Sequence, residues 1–111
     1  MDVIALRTYP TQGEPGVERD SCEVLTSGLV GDRRKRAPVS IAGAEDAHLR
    51  VNIVLSAPTR EVEQLVGEVV TIGEVVIVLE SAGSRCPGVY GVIGQPGRIR
   101  IGDRMLRAPE A

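Results

Sequence analysis

"GEVVTIGEVVIVLE", residues 67–80, is two aliphatic runs broken by Ile72-Gly73-Glu74. Val and Ile fill both arms. β-Branched side chains lose rotamer freedom in a helix and pack well on a pleated sheet, so each arm reads as a strand. Gly73-Glu74 reads as a hairpin turn, because Gly supplies the positive φ that such turns need. A weaker echo, "GRIRIGDRMLR", starts at Gly97: strand, Ile-Gly-acid, strand, with Gly102-Asp103 at the expected turn. "GVYGVI", residues 88–93, lies between the two as a further strand. Several short strands at this spacing predict a mainly β fold, a small barrel or a strongly bent antiparallel or mixed sheet.

The rest of the chain fits one domain, residues 1–111. With no Phe, no Trp and two Tyr (Tyr9 and Tyr90), the core must be aliphatic. "VIALRT" (residues 3–8) reads as the opening strand, and the acid-rich "YPTQGEPGVERDSC" after it as a loop. "GLVGDRRKRAP" (residues 28–38) is a second loop, "VSIA" (39–42) a short strand, and "GAEDAH" a connector with room for one helical turn. "LRVNIVL" (49–55) begins with period-two alternation, the pattern of a half-buried strand. "TREVEQLVG" (59–67) is the best helix candidate: Thr59 can cap it, Gly67 can stop it, and Val62, Leu65 and Val66 fall on one face.

A net charge of −2 gives no reason to expect wholesale binding to nucleic acid or an anionic membrane. Two cysteines do not make a disulfide framework. The N-terminal stretch has an early Asp and no apolar core of signal-peptide length. The longest unbroken aliphatic run, residues 75–79, is far too short to span a bilayer. These features lead us to expect a soluble cytoplasmic protein with reduced thiols.

Four features can carry chemistry. Arg33, Arg34, Lys35 and Arg36 form a basic loop. Arginine forks hold phosphate or carboxylate at two points, but a charge run also serves as a solvated surface. Arg50 and Asn52, one residue apart on an expected strand, would share a face and together read an anion and a polar heterocycle, or simply form an exposed polar face. His48 is the one histidine, and with Cys22 and Cys86 it matches no zinc spacing. Cys86 stands in "SRCPGVYGV" (84–92) between Arg85 and a Pro-Gly turn. A neighbouring cation favours thiolate, whereas free cysteines are often buried and inert.

Taken in order, five motifs resemble the MOSC domain, the family named after the C-terminal domain of molybdenum cofactor sulfurase. "GLVGDRR" resembles its Gly-Asp-Arg loop and "LRVNIVL" its Arg-x-Asn strand. "LVGEVVTIGEVVIVLE" resembles its Ile-Gly-acid hairpin. "RCPGVYGVI" and "GRIRIGDRM" resemble its closing strand and Gly-Asp hairpin. The resemblance implies a barrel-like fold and a link to the molybdenum cofactor (a pyranopterin) or to sulfur transfer. By position it implies that Arg33, with Arg34, neutralises the cofactor phosphate and that Arg50 and Asn52 contact phosphate or pterin. It implies that Cys86 ligates molybdenum or carries sulfur as a persulfide. Any reaction would be reduction of an N- or S-oxygenated compound, or sulfur transfer with donor and acceptor proteins. The chain departs from the family pattern in two places: few residues separate Ile41 from His48, and a single Pro separates Cys86 from Gly88. The alternative is therefore a non-catalytic binding module that kept the barrel and lost the pocket. A third reading is homodimerisation through "VIALRT" as an exposed edge strand.

Overall fold

The computed structural model describes residues 1–33, 37–83 and 86–108. Arg34, Lys35, Arg36 and Arg85 lie outside the described residues. In chain order the strands are β1 (Val3–Thr8), β2 (Val17–Arg19), β3 (Ser21–Leu25), β4 (Gly28–Leu29), β5 (Val39–Ala42) and β6 (Ile53–Leu55). After helix α1 (Thr59–Glu63) come β7 (Val69–Ile72), β8 (Val75–Ser81), β9 (Val89–Gln95), β10 (Gly97–Arg100) and β11 (Met105–Arg107). A 3₁₀ turn, Ala44–Asp46, occupies the connector between β5 and β6.

The mainly β expectation holds. One eight-stranded sheet runs β11-β7-β8-β9-β5-β6-β1-β2, and a three-stranded sheet runs β10-β3-β4. Every pairing is antiparallel except β5 with β6, so the large sheet is mixed. The large sheet curls into a half-barrel. Residues leading into β11 return to the start of β1: Val3 N donates to Asp103 O at 2.8 Å, Gly102 N to Val3 O at 2.8 Å, and Met105 N to Met1 O at 2.8 Å. Inside the curl, Leu6, Ile41, Ile53, Leu55, Ile72, Ile77, Leu79 and Ile99 are fully buried, forming the aliphatic core that the lack of large aromatics demands. The small sheet adds Cys22, Val24, Leu29 and Ile99 to this same core.

The two Ile-Gly-acid segments diverge. Ile72 pairs with Val75, and Gly73, at φ +56°, makes the expected two-residue hairpin. Gly102-Asp103 is a turn but not a hairpin, because β10 pairs with β3 while β11 pairs with β7. Asp103 bonds back to Arg100, its Oδ2 accepting from Arg100 N at 2.8 Å, and the chain crosses from the small sheet to the large one. The acid-rich stretch expected to be all loop contains β2 and the first two residues of β3. In β3, Cys22 and Val24 are buried while Glu23 and Leu25 are exposed, a period-two signal that the charges masked. β1 is not an edge strand: it lies between β6 and β2, so it cannot offer the open edge expected for self-association. α1 is one turn and a half, with Val62 buried, but Val66 is exposed. Among the described residues no helix is long and apolar enough to cross a membrane.

Candidate functional site

Asn52 is fully buried, and its side chain joins three parts of the chain. Its Oδ1 accepts from Ser40 N at 3.0 Å and from the Ser40 hydroxyl at 3.1 Å. Its Nδ2 donates to Arg7 O at 3.1 Å and to Asp32 Oδ2 at 3.1 Å. That uses both acceptor and both donor positions of the amide. The backbone repeats the links, since Asn52 N donates to Ser40 O and Arg7 N to Asn52 O. Asn52 thus clasps β1, β5 and the Gly-Asp-Arg loop at the point where β6 begins. Asp32 extends the clasp by accepting from Tyr9 N at 2.7 Å, and the Tyr9 hydroxyl donates to Val51 O at 3.2 Å.

Arg50 and Asn52 do not share a face. Regular strand begins only at Ile53. Upstream, Val51 N donates to Leu49 O at 2.9 Å, a three-residue turn that breaks the pleat and its alternation. Asn52 therefore points into the fold and Arg50 out of it. The Arg50 guanidinium lies over the Tyr9 ring, 4.5 Å from its centroid, and Nη1 donates to Glu14 O at 2.7 Å. The aromatic face and the carbonyl together hold the cation in one orientation. Arg33 is exposed, and its backbone N–H donates to Tyr9 O at 3.1 Å.

Cys86 is an exposed free thiol. The start of β9 and its contact with α1 fix its position. Gly88 N donates to Glu63 Oε2 of α1 at 3.0 Å, and the Gly88 Cα lies so close to β5 that a Cβ there would stand 2.2 Å from Ile41 O. Cys86 stands between two depressions. One, of about 210 Å3, is also lined by Ser40, Arg50, Val89 and Tyr90. The other, of about 440 Å3, is lined by Glu45, Asp46, Glu63, Thr59 and Arg60. Its acids serve the fold: Glu45 Oε1 accepts from Thr59 N at 2.7 Å and Asp46 Oδ2 from the Thr59 hydroxyl at 2.5 Å. The bond from the Thr59 N–H, chiefly, holds the Glu45 carboxyl below its ordinary range. Leu49 and Arg50 also line a third depression, of about 340 Å3, with Arg7, Tyr9 and His48.

Of the residues singled out from sequence, the structure brings Cys86 and Arg50 to one cleft. Asn52 lies beneath it, in contact with the lining residue Ser40. Arg33 is not among the residues lining that cleft, and Arg34 lies outside the described residues. Ser40, Tyr9 and Glu63 escaped the sequence reading. The signal for Tyr9 was its rarity in a chain without other large aromatics beyond Tyr90.

Cys22 is the opposite of Cys86. It is buried, and its thiol approaches Glu23 O and Val30 O at 3.4 and 3.6 Å. Burial pushes its pKa up from 9.0, against the lowering pull of the Arg19 and Arg98 guanidinium groups. The folded state thus holds this proton more tightly than the unfolded chain. Cys22 leaves stability unchanged well below the ordinary thiol range and lowers it as pH climbs into that range and beyond. Iodoacetamide at pH 8 is expected to label Cys86 more than about tenfold faster than Cys22, with Cys22 reacting fully only in denaturant. Peptide mass spectrometry checks this, and equal rates would contradict the burial of Cys22.

The curled eight-stranded sheet and the crossover to the small sheet make a mainly β half-barrel fold. Among solved structures it is shared with YuaD from Bacillus subtilis (TM-score 0.77, 12% identity, 94% of this chain and 93% of that one). It is also shared with YiiM from Escherichia coli, a MOSC-domain protein (0.67, 15%, 100% and 71%). A hypothetical protein matches at TM-score 0.73 and 13% identity, over 95% of this chain and 65% of its own. No protein-family model and no curated protein sequence matches the chain.

Proposed function

We propose that the chain is a minimal MOSC-family domain whose working group is the Cys86 thiol, serving the molybdenum cofactor or the sulfur destined for it. The observation that carries this reading is that Cys86 is exposed on the cleft that Arg50 also lines. The residues fit the cofactor in kind. Arg50, held by Tyr9 and Glu14, is an oriented cation for the phosphate. Cys86 is the soft ligand that a molybdenum centre takes. Leu49 and Arg50 border both the cleft and the depression beyond, which gives an elongated ligand two adjoining seats. Asn52 contributes by fixing Ser40 from below.

When bound, the cofactor supplies the redox chemistry. The chain's own part is to bind the anion at Arg50 and to present the thiol. In the sulfur-carrier form, the Cys86 thiolate attacks the outer sulfur of a donor persulfide. The donor S–S bond breaks, the donor leaves as a thiolate, and Cys86 holds the transferred sulfur as a persulfide. The exposed position of Cys86 suits approach by a second protein.

Two assays test the proposal. The chain is co-expressed in cells that make molybdenum cofactor, and its molybdenum and pterin are measured. Separately, it is incubated with a small-molecule persulfide and analysed by mass spectrometry. Stoichiometric molybdenum, or a one-sulfur adduct on Cys86, is expected, and each is expected to vanish in Cys86→Ser. Arg50→Gln is expected to reduce pterin content and leave the sulfur adduct intact. A wild-type protein with neither metal nor adduct would overturn the proposal and favour the non-catalytic module.

A further inference from the structure

We propose that the hollow between Arg19 and Arg98 binds a tetrahedral oxyanion of the phosphate or sulfate class. The hollow measures about 240 Å3 and is lined by Arg19, Ser21, Cys22, Glu23, Gly31 and Arg98. It shares no lining residue with the Cys86 cleft.

The two guanidinium groups are held by neutral partners. Arg98 Nη1 donates to the Ser21 hydroxyl at 3.1 Å, and Arg19 Nε donates to the hydroxyl of the fully buried Thr8 at 3.2 Å. Three other arginines are ion-paired: Arg7 with Glu18, Arg104 with Asp2 and Arg107 with Glu68. Glu23 stands directly across the register from Arg98, yet among the described residues neither Arg98 nor Arg19 forms an ion pair. Both cations lower the pKa of the Cys22 thiol, and Asp32 acts on it in the opposite sense.

Two cations facing one hollow, against the single carboxylate among its lining residues, leave it net positive and favour an anion. Each guanidinium fork keeps N–H groups beyond its hydroxyl bond, and such forks match the paired oxygens of a tetrahedral anion. Ser21 Oγ accepts from Arg98, which leaves its own proton to donate to the ligand. Gly31 keeps the rim open, since a Cβ there would stand 3.2 Å from Arg19 Nη2.

Titration of the full chain by 1H–15N NMR with inorganic phosphate, sulfate and O-phosphoserine tests this, with chloride at matched ionic strength as the reference. We expect saturable shifts at residues 19–23, 29–31 and 98, and none with chloride. Arg98→Gln and Arg19→Gln are each expected to weaken binding about tenfold or more, the scale of one charge-assisted contact. Arg107→Gln, which lowers the net charge equally, is expected to leave binding unchanged. Tighter binding of phosphoserine than of phosphate would mark the natural ligand as a phosphate monoester, and the reverse order would mark a free ion. Shifts that do not saturate, that chloride reproduces, or that survive both arginine substitutions would overturn the proposal.

Discussion

Asn52→Asp is expected to destabilise the fold by about 3–5 kcal/mol, at about 1–3 kcal/mol for each partner left without its bond plus like-charge repulsion. The substitution is nearly isosteric, so it opens no cavity, and the effect isolates hydrogen bonding. Nδ2 now donates to Arg7 O and Asp32 Oδ2. A carboxylate there donates to neither, and it sets a second negative charge beside Asp32 in a site with no exposure to water. The Ser40 bonds to Oδ1 survive, so the loss falls on the link between β1 and the Gly-Asp-Arg loop. The pH dependence carries a sign. Burial and Asp32 raise the introduced carboxyl above its unfolded value of about 4, so the folded state binds the extra proton. The deficit against wild type is therefore smallest at low pH and grows as pH rises through the raised value. Urea unfolding at several pH values measures this as a lower midpoint with an unchanged slope. A deficit under about 1 kcal/mol at pH 7 would show that the clasp contributes little.

The clasp also shows what a sequence exposes and what it hides. Aliphatic runs rich in Val and Ile gave β1 and β5 with their boundaries and the β7–β8 hairpin with its turn, because that signal lies within a few residues. The local pattern failed at residues 49–52, where one bond, Val51 N to Leu49 O, turns the chain and sends Arg50 outward and Asn52 inward. No local pattern announces such a turn, since Leu-Arg-Val-Asn alternates as a strand would. It failed again at Gly102-Asp103, whose neighbours match those of Gly73-Glu74 while the strands on either side pair elsewhere. Partner choice there depends on β3, some seventy residues upstream, and on the N-terminus. The site was legible to the same degree. The resemblance grouped Cys86, Arg33, Arg50 and Asn52 about one ligand, but that only Cys86 and Arg50 line the cleft, with Asn52 beneath it, arises from long-range pairing.

Gly88→Ala is expected to cost about 3–5 kcal/mol and to disturb Cys86 before the chain unfolds. Two faults coincide. Gly88 sits at φ +91°, which an alanine adopts only with strain, and the added Cβ would stand 2.2 Å from Ile41 O and 3.2 Å from Ile41 C. Both neighbours are backbone atoms of β5, so no rotamer change relieves the contact. The start of β9 must move away instead. Ile41 pairs with Val89, the first residue of β9, so the movement opens that end of the β5–β9 ladder. It also draws Gly88 N away from Glu63 Oε2, the bond that ties the Cys86 turn to α1. The thiol is two residues away, on the loosened side. The urea midpoint and the rate of Cys86 alkylation in the native state measure the two effects. We expect the midpoint to fall and the alkylation rate to change in Gly88→Ala. Gly83→Ala, where a Cβ meets nothing within 4 Å but φ is +94°, is expected to show only the smaller effect of backbone strain. Equal losses for the two variants would mean that φ alone matters at Gly88. The close approach to β5 would then have no part in placing Cys86.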